Sequence, residues 1–515
     1  NPNEPTPEAL KTEAGMRKGA YGIYNSLRAI EGTNDWFYYT WFIQWAHNVM
    51  GDATVSSVGN FGIRWANQTS QIIRPDQTII TPPTGGSQIQ ELNTRNARDY
   101  GADNVQAFEW YPGYSLIQHC NLMLSVLNEE VEFIGTPEVV EMKVKTYQAW
   151  FYFWKGFGYS RLGSIYSQGL IVDEYGYTNS NYLPNTALID EAARNFNLAI
   201  DILKTIADND GTYATIFDAL IPAHFKVGNG GVLTPSMMIH TMNTYMARNI
   251  LVNKYAADLT TADLNAIEEL ANEGITASDK IFTIRSTADD NKCLVYTTAW
   301  SGYRLNLAWE RMSERLVQDF RPGDARFTRN ITTFETPYVN VSGRGYQYGT
   351  RYAAVDAADG GEYMSGVAEA VEVPMACSYE ENQLMLAEVK IRRDEVEAGL
   401  AHIDNVRAHQ NAGLAALVGQ GLTKEQALEE LRSERRIGLF LKNVAFYDAR
   451  RWGILKPLAQ GGGRENANVV FEGGVVEPCT IEYNYKEWWD VPANETDFNP
   501  MTAGKGPGPR YSSAM

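Results

Sequence analysis

Chemistry-bearing residues are plentiful in this chain, yet few stand at the spacing that a reaction needs. The six histidines (His47, His119, His224, His240, His402, His409) form no HExxH pair, and 402 and 409 lie two helical turns apart across polar sequence. A catalytic zinc site is therefore not expected, and each histidine reads as a structural one with a hydrogen-bond partner. The cysteines, at 120, 293, 377 and 479, contain no CxxC, and a chain this long needs no disulfide framework. A nucleophile elbow fails at Gly158-Tyr-Ser-Arg-Leu162, which lacks the closing glycine. Gly343-Arg-Gly345-Tyr-Gln-Tyr-Gly349 has neither the glycine spacing nor the strand-to-helix setting of a phosphate loop. Asp208-Asn-Asp210-Gly211 and Asp356-Ala-Ala-Asp359-Gly-Gly-Glu362 lack the ligand order of a calcium loop and read as acidic turns. Among 62 acidic residues a carboxylate pair at glycosidase distance remains open, so a surface glycoside hydrolase or lyase is kept as an alternative. No cofactor is expected.

The unusual component is aromatic: 29 Tyr, 19 Phe and 12 Trp. Flat rings outside regular helices suit the C–H face of a pyranose, with Asn, Asp, Gln or Arg nearby for the hydroxyls. The rings in loop-like sequence are Trp65, Trp110, Trp300, Tyr303, Tyr338 and Tyr346, and their polar neighbours include Arg304, Asn306 and Asn340. These nine form the candidate binding set, and packing in a core or turn is the competing role for each ring.

Bulk properties narrow the classes. Lys plus Arg is 44 against 62 acids, a net charge of −18 with no basic block, which argues against nucleic acid and against docking on anionic lipid. A hydrophobic content of 44% supports a packed core. No apolar run reaches 18 residues; the nearest, 36–50, carries Gln44, His47 and Asn48. The chain opens at Asn1 without Met, so a removed leader is expected. Residues 1–7 read as a Pro-rich tether and 8–515 as one domain.

The elements that must position the candidates are mostly helices. Apolar spacing predicts them over 8–29, 36–50, 115–129, 138–162, 187–207, 235–255, 261–277, 380–397 and 398–410. Between 147 and 159 eight aromatics in 13 residues cover every side of one helix, which marks it as buried. Residues 52–114 and 280–375 break the rhythm with Gly, Pro, Asn and Thr. Short strands are expected at 71–74, 293–298, 327–334 and 337–341. The fold class is thus mainly α, a tetratricopeptide-like scaffold of helix pairs with an inserted loop-rich region of short strands.

One more helix is predicted over 423–453, about 45 Å long if continuous, opened by the capping box of Thr423 and Gln426. Its stripe Ile437, Phe440, Val444, Tyr447 is interleaved with Arg435, Arg436, Arg450, Arg451, Glu434 and Asp448. Arginine and glutamate enter a core only when paired, so these residues are expected to tie helices to the C-terminal segment. Glu434-Arg435-Arg436-Ile437, Phe446-Tyr447-Asp448 and Arg450-Arg451-Trp452-Gly453 together resemble the C-terminal signature of the SusD/RagB family of nutrient-binding outer-membrane lipoproteins. Gly19 to Leu27, Met50-Gly51-Asp52, Arg321-Pro-Gly-Asp-Ala-Arg326 and Trp488 to Pro500 also look familial. The sequence departs from the family at Gly438, Lys442-Asn443 and Ala445, where Glu, Glu-Gly and Arg are usual.

The resemblance implies a cell-surface protein at the outer membrane, held by an N-terminal lipid anchor that this chain does not contain. It would capture an oligosaccharide or polysaccharide without chemistry and deliver it to a SusC-like TonB-dependent transporter. It also favours Trp300 and Tyr303, which precede the Asp-x-Arg turn. A peptide-binding RagB-like member is the second alternative.

Overall fold

The computed structural model describes residues 7–27, 43–56, 62–82, 86–128, 131–226, 228–285, 310–339, 349–363 and 372–502. Helices α1 (Glu13–Gly22), α2 (Ile43–Met50), α3 (Gln88–Arg95) and α4 (Trp110–Asn128) lead to the long α5 (Pro137–Ile165). Then come α6 (Asn185–Leu203), α7 (Gly211–Leu220), α8 (Pro235–Val252) and α9 (Thr261–Asn272). The helical part closes with α10 (Tyr379–Arg392), α11 (Val396–His409), α12 (Lys424–Gly438) and α13 (Ala445–Arg451). Their starts are chemically marked. Thr12, Thr234 and Ser378 each accept a bond from the backbone amide three residues on, and Thr260–Asp263 and Thr423–Gln426 form full capping boxes.

Successive helices pack in pairs: α4 on α5, α5 on α6, α8 on α9, α10 on α11, and α11 on α12. Contacts of α6 with α8 and of α9 with α10 join one pair to the next, which gives the tetratricopeptide-like scaffold. The aromatic helix behaves as its composition requires. From Thr146 to Ile165 all but two of its residues are buried, Trp150 and Trp154 at 1% exposure, and Phe153 stacks on Phe282 at 5.0 Å. Burial of rings this large is worth about 1.5–3 kcal/mol apiece, so this core is the main anchor of the scaffold.

Several boundaries differ from the sequence reading. Over its described residues, which end at 27, the expected 8–29 helix is instead Pro7–Leu10, α1 and a 3-10 turn, Ile23–Leu27. α4 begins at Trp110 rather than 115, whereas the acidic turn expected at Asp208–Gly211 is present and leads into α7, with Asp210 accepting from Tyr213 N as its cap. Ala325–Asn330 is helical, so the strand expected from 327 starts at Ile331. Expectations at 36–42, 293–298 and 340–341 lie outside the described residues.

The largest correction concerns 423–453, which is two helices, not one. The chain leaves α12 at Gly438 and passes through left-handed conformations at Leu441 (φ 61°) and Asn443 (φ 62°) before α13. The break sends the apolar stripe to different cores. Phe440 packs with Met312, Leu316 and Ile331, Val444 with Leu384 and Leu400, and Tyr447 joins the main cluster. Asparagine tolerates that conformation, whereas Leu441 pays about 1–2 kcal/mol for it in exchange for a buried side chain.

The arginines do what their interleaved acids implied. Arg435 donates to Asp448 (2.9 Å), Asp448 also accepts from Arg451 (2.7 Å), and Arg451 grips Glu388 on α10 through two 2.8 Å bonds, all buried. Arg326 from the Asp-x-Arg turn bonds Asp324 and Glu434, and Arg407 of α11 bonds Glu434 and Glu430. Asp52 accepts from Arg315, Ser313 and Tyr483, which links the end of α2 to the C-terminal sheet. Burial alone would raise the Asp52 carboxyl; Arg315, with Arg464 and Arg436 behind it, holds it well below the usual range.

The strands that bear on the site are β1 (Thr54–Ser56), β2 (Gln71–Ile73), β3 (Ile79–Ile80), β4 (Glu310–Met312), β5 (Ile331–Val339), β6 (Gly349–Ala354), β7 (Arg464–Val470) and β8 (Val476–Glu482). Six of them form one antiparallel sheet in the order β3-β2-β8-β7-β6-β5, about 24 Å from edge to edge at the usual strand spacing. The β7–β8 hairpin at its centre turns on Gly473 and Gly474, both with positive φ (79° and 77°). β1 pairs separately with β4.

Candidate functional site

Six of the nine sequence candidates, Trp300, Tyr303, Arg304, Asn306, Asn340 and Tyr346, lie outside the described residues. The described ends that flank them meet. Arg311, on β4, sets its guanidinium carbon 3.4 Å from the ring centroid of Tyr338, near the end of β5. Tyr338 is half-buried under that cation. Beside it, Glu310 is buried at 1% exposure and accepts from Thr54 (2.6 Å) and Asn48 (3.2 Å), both neutral. Burial pushes its carboxyl up to about 7, against the pull of those two bonds.

Trp65 instead lies on the short helix Ile63–Ala66 that precedes β2, and Trp110 opens α4. Trp65 is 6% exposed, with the guanidinium carbons of Arg64 and Arg95 at 4.0 and 3.7 Å from its ring centroid. Trp110 is 1% exposed, packs its ring on Tyr114 and Tyr166, and donates Nε1 to Glu495 (3.4 Å). Neither offers a free ring face. Both instead support neighbours that do.

Above Trp65, Arg95 also approaches Tyr100 (5.4 Å), which is exposed. Beside Trp110 on α4, Tyr111 is exposed, and its hydroxyl bonds the Asn494 side chain. The guanidinium of Arg98 lies 4.5 Å from the ring of Phe498, which is 74% exposed. Backbone and side-chain bonds hold these pieces together. Asn96 donates to Val491 O (3.1 Å) and accepts from Ala493 N (2.9 Å), while Tyr182 donates to Asn499 O (2.8 Å). Tyr111 and Phe498 thus form a shelf beside the buried Trp110 and Tyr182, with Asn494 and Arg98 at their edges, and Tyr100 stands two residues beyond Arg98.

Such a shelf can stack apolar ring faces and donate hydrogen bonds at their edges. Tyr111 stays protonated: burial raises it, the Glu495 charge adds to that, and the Asn494 bond and Arg98 oppose it. Tyr182 is pushed up by burial and by Glu495. Both remain neutral donors through the physiological range.

Helical phase explains why the sequence reading chose Trp110 over Tyr111. With the helix started at 110 instead of 115, residues 110, 114, 117 and 121 face inward and 111, 115, 118 and 122 face outward. Tyr100 and Phe498 carry no such signal, because their exposure depends on how distant segments meet.

A second concavity, about 290 Å³, opens between the end of α11 and the 438–442 turn. Its polar groups are engaged with one another: Lys442 pairs with Glu380 (3.2 Å), and Gln410 donates to Gly438 O (2.9 Å) and accepts from Arg326 (2.8 Å). None of the exposed rings lines it. Among the described residues no cluster of His, Cys, Asp and Glu is arranged to hold a metal ion, and no helix is long and apolar enough to cross a membrane. The histidines found buried or half-buried have partners, His47 with Glu109 (2.6 Å), His119 with Gly19 O (2.9 Å) and His240 with Asp279 (2.9 Å).

No family model and no curated protein matches the chain. Solved structures do. A SusD-like carbohydrate binding protein from Bacteroides vulgatus ATCC 8482 aligns over 97% of this chain and 99% of its own, at 11% identity and a TM-score of 0.58. A sugar binding protein of the same organism, so described as putative, covers 94% and 96% at 14% identity and a TM-score of 0.57. NanU of B. fragilis covers 88% and 92% at 14% identity and 0.51. The chain therefore has the SusD-like fold that its C-terminal signature implied, and the match runs nearly end to end.

Proposed function

We propose that this protein is a glycan-binding protein of the outer cell surface, one that captures an oligosaccharide or polysaccharide and passes it to a SusC-like TonB-dependent transporter. It acts by binding, without chemistry on the ligand. The observation that carries the reading is the shelf of Tyr100, Tyr111 and Phe498, solvent-facing rings with a guanidinium and an amide at their edge, within a SusD-like fold. Support also comes from the names of the matching structures, several of which are described as carbohydrate or sugar binding. Exposed rings cost solubility and lend nothing to the core, so their concentration here favours a ligand. A shallow, open shelf corresponds to dissociation constants of about 1 mM to 1 μM.

The sequence candidates Trp300 and Tyr303, with Arg304 and Asn306, and Asn340 and Tyr346 with Tyr338, remain proposed contributors. Outer-membrane attachment through a lipid anchor and the transporter partnership belong to the same proposal. The test is retention on affinity gels cast with a panel of polysaccharides. Wild type is expected to be retarded by at least one, and a Tyr111→Ala, Phe498→Ala double variant to lose that retardation at an unchanged melting temperature. Release of sugar products by the purified protein, or binding to peptides and to no glycan, would replace this reading by the hydrolase or the peptide binder.

A further inference from the structure

Of the described residues, nine large apolar side chains are exposed, and besides the shelf's Tyr100, Tyr111 and Phe498 they include Tyr175 and Tyr177. The last two lie on the loop between α5 and α6, outside the shelf itself. That loop is fixed from both sides. Val172 is tied through its N–H and C=O to the hydroxyl of Tyr159 (2.9 and 3.0 Å), and its carbonyl accepts from Asn121 (2.8 Å). Gln118 of α4 donates to Tyr177 O (3.5 Å) and accepts from Gly176 N (3.2 Å). On the other side Asn499 donates to Asn179 O (2.7 Å), and the Ser180 and Thr502 hydroxyls meet at 3.1 Å. The rings of Tyr175 and Tyr177, 57% and 51% exposed, are therefore held out on a braced turn.

Their position relative to the shelf follows from helix geometry. Tyr111 and Gln118 share the outer face of α4 seven residues apart, a rise of about 10 Å. The Gln118-pinned turn thus stands one short step along α4 from Tyr111, and the C-terminal segment that carries Phe498 runs against both.

Resting on the glycan-binding reading above, we infer that Tyr175 and Tyr177 form a second ring platform in line with Tyr100, Tyr111 and Phe498, so the ligand is an extended, neutral oligosaccharide rather than a mono- or disaccharide. The braced loop matters because a preordered ring loses little freedom when a sugar stacks on it. Neutrality follows from charge. The loop exposes Glu174, and its Asp173 is already matched by Lys155 and Arg194. Arg98 is the shelf's exposed cation, and the whole chain carries −18, so a polyanion is repelled at one end of the surface and little attracted at the other.

The experiment is titration calorimetry with di-, tetra- and hexasaccharides of the malto-, cello- and xylo- series, with hyaluronan oligosaccharides as the anionic comparison. Wild type is expected to bind one neutral series at least about tenfold more tightly as hexasaccharide than as disaccharide, and hyaluronan more weakly than either. In Tyr175→Ala, Tyr177→Ala the hexasaccharide should lose that advantage, to within about threefold of the disaccharide, while disaccharide binding stays as in wild type. Tyr175→Phe, Tyr177→Phe should keep it, since the ring face is retained. Equal affinity for all lengths in wild type, or an unchanged length dependence in the alanine variant, overturns this inference and leaves the shelf intact. Tighter binding of hyaluronan overturns the neutral assignment. Binding of no glycan at all, neutral or anionic, removes the functional reading and this inference with it.

Discussion

Replacing Glu310 by Gln should make the protein more stable at alkaline pH. The carboxyl is buried among neutral partners, Thr54 and Asn48, and burial raises it from an ordinary 4.5 to about 7. The folded protein then holds a proton that the unfolded chain has released between those two values. Stability is full below pH 4.5, falls as pH rises, and is lost through pH 7, with a steepest slope of about 1.4 kcal/mol per pH unit. Over the whole window the loss is about 3 kcal/mol. A glutamine keeps the acceptor for Thr54 and Asn48 and has nothing to ionise. Urea unfolding of wild type and Glu310→Gln at pH 5, 6, 7 and 8 should therefore give curves that converge at the acid end and separate by up to about 3 kcal/mol at pH 8, the variant being the more stable. A constant offset between the two across that range would refute the argument, because it would mean that Glu310 does not hold its proton in the folded state.

Further outcomes follow from the buried ion pairs and close contacts. Arg435→Ala or Asp448→Ala should lower stability by about 3–5 kcal/mol in denaturant melts, because each leaves a buried charge unmatched, while the folded fraction still binds glycan. Glu388 is pushed up by burial but held at about 2 by Arg451 and Arg392, so it stabilises above pH 4.5 and less as pH falls toward 2. The penalty of Glu388→Gln should accordingly shrink between pH 4.5 and 3 in the same melts. A Cβ at Gly51 would press into the backbone of Ala445, and Gly51→Ala should cost about 1–3 kcal/mol, read as a lower unfolding midpoint.

How much was legible in the sequence depended on how local the cause was. The ring-lined helix around Trp150, the Thr423 capping box and the pairing of Arg435 with Asp448 each announce themselves in short windows, and the structure has them. The break after Gly438 was hidden because Lys442 to Tyr447 keeps a helical spacing. The positive φ at Leu441 and Asn443 comes from Phe440 and Val444 being drawn into different cores. The β7–β8 hairpin, with β-branched runs on either side of Gly473-Gly474, had a readable signal that a helix-centred reading passed over. At the candidate site, tryptophan was the wrong guide to an exposed ring. Trp65 and Trp110 are large enough to be worth most as floor, and the smaller tyrosines beside them face solvent. Phe498 meets Arg98 from four hundred residues earlier, and no window of sequence holds that contact.

The most direct test of the central claim is a crystal structure of the protein soaked with the glycan that wild type retains on a gel. The account predicts a pyranose face in van der Waals contact with Tyr111 or Phe498 and a sugar hydroxyl within hydrogen-bond distance of Arg98 or Asn494. Ordered sugar in the polar cleft beside Gln410 and Lys442, with the shelf bare, would contradict it.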